Sequence, residues 1–190
     1  MDNHERRYLV RPVELREDAG GPHLVGYAAV FGAVADLGWF TETIDPGAFT
    51  RTVAEDDIRG LIDHDSCRII GRNKAGTMVL TVDEVGLKFD VALPDTTPGL
   101  DIAKSVKRGD VSGCSFAFET RSDSWVYSDT GQPARTLIEV KLYDVGPVTF
   151  PAYADTSVAV RSFEALRSRS CDAAARMALR RQRQAEALGR

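Results

Sequence analysis

The sequence predicts an α+β fold, mainly β with a few helices, in which the strands close into a barrel flanked by helices. Three observations predict it. From Tyr8 to about Phe150, short β-branched and aromatic runs are separated by Gly, Pro and Asp, the pattern of strands and turns. Two segments inside that stretch carry helix-start or helix-stop residues instead. After Pro151 the alternation gives way to a 3.6-residue spacing, with Phe163, Leu166, Ser170, Ala174 and Met177 on one stripe.

Taken in order, strands are expected over Tyr8–Leu15, His23–Phe31, Trp39–Ile44, Gly60–Asp63, Thr77–Val82, Gly86–Leu93, Val111–Thr120 and Thr136–Val148. The segment Asp83-Glu84-Val85-Gly86 reads as a hairpin connection. Asp45 followed by Pro46 predicts a helix from Pro46 to about Ala54, with aspartate as the cap and proline in the first turn. A second helix is expected from Thr97 or Pro98 to Lys107, ended by Gly109. The chain then divides into a β-barrel domain over 1–155 and a basic amphipathic helical tail over 156–190.

Composition narrows the function classes. The 190 residues are 43% hydrophobic and 27% charged, an ordinary globular balance, with a formal net charge of −4. Residues 161–190 hold eight arginines against Glu164, Asp172 and Glu186, so the tail is basic and the body acidic. No apolar run approaches the roughly 20 residues a membrane-spanning helix needs, and the start has no apolar signal-peptide core. Three scattered cysteines, Cys67, Cys114 and Cys171, make no disulfide framework and fit a reducing cytoplasm. There is no phosphate-binding loop, dinucleotide fingerprint or zinc-finger spacing. Nucleic-acid binding would rest on the arginine tail alone, which the acidic body opposes, so no nucleic-acid partner is expected.

Two segments bring chemistry into the apolar runs. Leu61-Ile62-Asp63-His64-Asp65 offers a histidine, and Val111-Ser112-Gly113-Cys114-Ser115-Phe116-Ala117-Phe118 offers a serine. A polar group in a buried strand must find a hydrogen-bond partner, and a histidine beside a serine hydroxyl turns a weak alcohol into a nucleophile. Strand alternation puts Gly113, Ser115 and Ala117 on one face, leaving room for a substrate, and Cys114, Phe116 and Phe118 in the core. Ser112 falls on the opposite face from Ser115. The bland alternatives are a histidine held in a loop by a neighbouring aspartate and a serine tolerated on a strand surface.

A third group must orient the histidine, and Glu139 and Asp144 both lie in the last predicted strand, on opposite faces if that strand is regular. Cys67 follows His64 by three residues, but no second histidine or suitably placed cysteine completes a metal site, and no cofactor is expected. Candidate oxyanion donors are the amides around Val145-Gly146, those of the Ile70-Gly71-Arg72 turn, and the Arg72 side chain.

Five motifs in order, Gly26-Tyr27-Ala28-Ala29-Val30-Phe31, Phe40-Thr41-Glu42-Thr43-Ile44-Asp45-Pro46-Gly47-Ala48-Phe49, Leu61-Ile62-Asp63-His64-Asp65, Gly113-Cys114-Ser115-Phe116-Ala117-Phe118 and the run from Leu142 to Tyr153, resemble the tailed-bacteriophage prohead serine proteases. That family is distantly similar to the herpesvirus assembly protease, which implies a β-barrel surrounded by helices. The resemblance implies His64 as general base, Ser115 as nucleophile and Asp144 as the third catalytic member. Asp144 stands where the family usually has glutamate, and Gly146 where it usually has serine. The resemblance further implies cleavage of a scaffold protein or of the scaffolding segment of the major capsid protein, self-cleavage, and action inside the assembling procapsid in the host cytoplasm. Association into a homo-oligomer is compatible with it. A catalytically inactive scaffold-binding or capsid-assembly protein on the same fold is the alternative, since a fold does not by itself establish an activity.

Overall fold

The computed structural model describes residues 4–9, 13–127 and 131–150. The basic helix expected over 156–190 lies outside the described residues. Eleven strands are described: β1 Glu5–Leu9, β2 Glu14–Asp18, β3 Gly21–Val30, β4 Ala35–Asp36, β5 Thr41–Ile44, β6 Arg59–Leu61, β7 Ile69–Arg72, β8 Met78–Val82, β9 Gly86–Ala92, β10 Gly113–Val126 and β11 Ala134–Val148. Two helices, α1 Thr50–Glu55 and α2 Thr97–Arg108, accompany them.

The strands form two open sheets, which corrects the expected closed barrel. One sheet runs β1-β10-β11-β5-β4, with β6 also on β11 and β7 on β6; the other runs β2-β3-β9-β8. No ladder joins the two among the described residues. The β6–β7 hairpin is one reason. A β carbon on Gly71 would lie 2.8 Å from Val91 Cγ1 and 3.2 Å from Met78 Cβ, so β7 packs on the side chains of β8 and β9 instead of extending their ladder. The second reason is near the start, where the single expected strand Tyr8–Leu15 is instead two. β1 pairs with β10 and β2 with β3, in different sheets. Pro12, which has no amide hydrogen for a ladder, falls between them.

The long hairpin β10–β11 is the backbone of the first sheet. Its outer edge along β11 is divided: β5 pairs in parallel with Ala134–Leu137, and β6 with Asp144 and Val145. In the gap the α1 segment takes the place of a strand, because the Val140 amide donates to the Ala48 carbonyl at 3.2 Å and the Leu142 amide to Thr52 Oγ1 at 2.8 Å. The helix itself is shorter than expected. Asp45 does not cap it: its side chain accepts from the Gly47 amide at 2.7 Å in a local turn, residues 46–49 stay in turns, and the helix begins at Thr50 with Phe49 at its N-cap and no side-chain cap. A glycine in the first turn weakens helix propensity there. α2 runs as expected, with Thr96 as N-cap and left-handed Gly109 after its end.

The apolar core lies between the sheets and α1. Phe49 meets Phe116 edge-on at 5.6 Å, and Phe116 stacks on Phe118 at 5.1 Å. Cys114, Phe116 and Phe118 point into this core, as the alternation of β10 requires.

Candidate active site

The core alternation of β10 turns Ser115 to the opposite face, where it pairs with Gly146 on β11 and Tyr8 on β1. Asp144 is paired with Ala117, so it shares the face of Ser115 and lies diagonally from it. The β10–β11 register slips at this point, from Ala117↔Asp144 to Phe118↔Leu142, which leaves Tyr143 as the extra residue of a bulge. His64 is supplied from the third strand along, in the β6–β7 connection just past Leu61.

The His64 ring spans the other two side chains. Its Nδ1 lies 2.5 Å from Asp144 Oδ1 and its Nε2 lies 2.6 Å from Ser115 Oγ. All three side chains are nearly enclosed, with Ser115 only 3% exposed. The face expected to lie open beside Ser115 is therefore covered, with the His64 ring set against Ser115 Oγ. With Nδ1–H donated to Asp144, Nε2 keeps its lone pair for the serine hydroxyl, the tautomer that proton abstraction needs.

Ser115 Oγ also lies 2.9 Å from the Arg7 main-chain carbonyl on β1. A hydroxyl has one hydrogen, so Arg7 O and His64 Nε2 compete for it. When the hydrogen points to Arg7 O, the short Nε2 contact needs a hydrogen on Nε2 for the serine oxygen to accept. The reactive form is the other one, with the hydrogen on the line to Nε2.

The remaining candidates are placed elsewhere. Glu139 faces Arg51 at 3.1 Å and Arg121 at 3.5 Å. Arg72 gives Nε and Nη2 to Asp57 at 2.8 and 2.7 Å, so both are engaged away from an oxyanion role. Val145, Gly146, Ile70 and Gly71 belong to strands and not to the expected turns. Ser112 and Cys67 are exposed, and burial pushes the Cys114 thiol up to about 12, which keeps it an un-ionised core group. Among the described residues, no group of three or more His, Cys, Asp or Glu could hold a metal.

Two contributors were not visible in the sequence. The Arg7 carbonyl is a backbone atom and carries no residue signature. Asp63, next to His64, reaches Thr149. An aspartate in a turn is a recognisable signal, but its partner lies 86 residues away.

With the geometry established, similarity to known proteins adds a family and a fold. The model of a family described as caudovirus prohead serine protease matches residues 10–169. The solved structure of the bacteriophage T4 capsid assembly protease, gp21, is similar with a TM-score of 0.50 at 14% identity, over 78% of this chain and 98% of that one. At that identity the likeness is one of fold. No curated protein matches the chain in sequence.

Proposed function

We propose that this chain, which belongs to the caudovirus prohead serine protease family, is an active serine endopeptidase of procapsid maturation, with Ser115 as nucleophile, His64 as general base and Asp144 as its orienting carboxylate. The observation that carries the reading is the continuous contact from Asp144 through His64 to Ser115, at 2.5 and 2.6 Å. In that arrangement His64 Nε2 takes the hydroxyl proton as Oγ bonds to the peptide carbonyl carbon, and Asp144 stabilises the imidazolium that results. His64 then returns the proton to the departing amine as the C–N bond breaks. Water repeats the sequence on the acyl-enzyme and regenerates the serine.

The substrate is the scaffold protein or the scaffolding segment of the major capsid protein, encountered inside the procapsid. Family membership supports that setting. The division at 155/156 assigns the chemistry to the first part and leaves the basic tail to hold acidic scaffold surfaces or to be removed by self-cleavage. Among the described residues no helix is long and apolar enough to cross a membrane.

The test is cleavage of the capsid or scaffold precursor by the full chain, beside Ser115→Ala and His64→Ala. Each variant should abolish cleavage in trans and self-cleavage while keeping the fold. The double variant should be no worse than either single one, because the two groups act as a unit. Retained cleavage in Ser115→Ala, together with loss in Ser112→Ala, would reassign the nucleophile. A parent chain that binds the precursor without cutting it would favour the assembly-protein alternative.

A further inference from the structure

Asp63 and His64 both have positive φ, 54° and 58°. Across them the Asp65 amide donates to the Ile62 carbonyl at 3.0 Å. A tight turn with both central residues left-handed ordinarily takes asparagine or aspartate first and glycine second. His64 thus occupies a glycine position while carrying a full side chain, and such backbone persists only where its surroundings over-determine it.

Asp63 supplies those surroundings. Its amide donates to the Pro147 carbonyl at 3.0 Å. Its Oδ1 accepts from the Thr149 amide at 2.7 Å, and its Oδ2 accepts from Thr149 Oγ1 at 3.0 Å and from Arg68 Nη1 at 3.1 Å. Pro147 and Thr149 lie just beyond Asp144 in the chain, at the end of β11. The turn that carries the histidine is therefore fastened to the strand that carries the carboxylate, and β11 is itself paired with the strand that carries the serine.

We infer that Asp63 is a positioning residue for His64: its clasp on Thr149 holds the strained turn so that the imidazole bridges Asp144 and Ser115. The activity arm of the test rests on the proposed function, whereas the spectroscopic arm does not. Both use the full chain with Asp63→Ala, Asp63→Asn and His64→Ala. The first readout is the downfield proton resonance of His64 Nδ1–H donated to a carboxylate, assigned by its absence from His64→Ala. The second is kcat and KM on the capsid or scaffold precursor.

Asparagine keeps an oxygen for the Thr149 amide and tolerates positive φ, so Asp63→Asn should keep the resonance and a kcat within about threefold of the parent. Asp63→Ala should lose the resonance to exchange and lower kcat about tenfold or more, with KM within about twofold. Loss of bulk stability alone lowers the amount of folded enzyme, so kcat is referred to the folded fraction measured on the same sample. In that fraction a purely structural role would leave both kcat and the resonance at parental values. If Asp63→Ala does not fold, Thr149→Val removes only the hydroxyl donor and should lower kcat in the same direction by less. Parental resonance and kcat in Asp63→Ala, an Asp63→Asn variant as impaired as the alanine one, or no such resonance in the parent would each overturn the inference. A parent chain that shows the resonance and its loss in Asp63→Ala, yet cleaves nothing, would uphold the clasp and defeat the proposed function.

Discussion

Asp144 is one methylene shorter than the glutamate usual at that position of the resembling family, yet its Oδ1 reaches His64 Nδ1 at 2.5 Å. The bulge at Tyr143 sits directly before it and re-aims the side chain, and β6 pairs beside it at Arg59. Asp144→Asn should slow cleavage on the order of 10³-fold or more without removing it, because an amide no longer stabilises the imidazolium. Glu139→Gln should stay within about twofold, since that carboxylate faces Arg51 and Arg121 on a half-exposed surface. Parallel cleavage assays of the two variants check the ranking, and the reverse order would move the orienting role to Glu139. At this scale His64, Ser115 and Asp144 were legible because each sits in a motif of its own. The choice between Asp144 and Glu139 was not legible from alternation, because the register slips of the β10–β11 ladder break the parity on which alternation depends.

Among the elements, β11 lies between the strand that carries Ser115 and the one that leads to His64: β10 runs along one edge, and β5, the α1 segment and β6 along the other. Its closest approach is to β6, where a β carbon on Gly146 would lie 1.9 Å from the Leu61 carbonyl oxygen. Gly146 in place of the resembling family's serine thus lets β6 lie against β11 three residues before His64. Gly146→Ser should push Leu61 away, move the His64 turn with it, and lower both kcat and the melting temperature. Retained cleavage with an unchanged melting temperature would show that β6 can give way without moving the histidine. Thr52→Val should cost about 1–3 kcal/mol in denaturant unfolding, because it leaves the buried Leu142 amide without an acceptor. Most strands were legible from β-branched runs. β7 was not, being four residues long and half of it Gly71 and Arg72, and the two-residue β4 carries no periodic signal at all.

Across the whole molecule, a buried ionic cluster fastens β1 to the sheet. Arg7 binds Glu42 at 2.6 Å and Glu5 at 2.8 Å, and Arg135 binds Glu5 at 2.8 Å, Glu42 at 3.1 Å and Asp123 at 2.8 Å. Burial alone would raise the Glu5 pKa, but the hydrogen bond and charge of Arg135, with Arg7 and Thr120, outweigh it and bring it from 4.5 to about 2. A carboxylate with a depressed folded pKa contributes stability that is whole above its unfolded value and lost as pH falls through its folded one. Stability should therefore decline from about pH 4.5 toward about pH 2, and Glu5→Gln should flatten that slope in denaturant titrations. Arg135→Ala should cost about 3–5 kcal/mol, since it leaves the buried carboxylates of Glu5 and Glu42 to share the single charge of Arg7. No sequence pattern announces such a cluster, because its members come from four strands. The same scale hid the open architecture: strand runs predict that sheets exist, but closure depends on which edges meet.

The cluster also bears on the order in which the protein comes into being. Arg135 is synthesised 130 residues after its partner Glu5, and Ser115 108 residues after the Arg7 carbonyl it meets. Contacts so distant along the chain form late and slowly, after the entropy of closing long loops has been met. Until β11 has emerged there is no Asp144, no Thr149 for Asp63 to grip, and no Arg135 to draw in β1. A chain interrupted before β11 thus lacks the carboxylate, the clasp and the ionic cluster together, and the candidate site is completed by the last of the described strands.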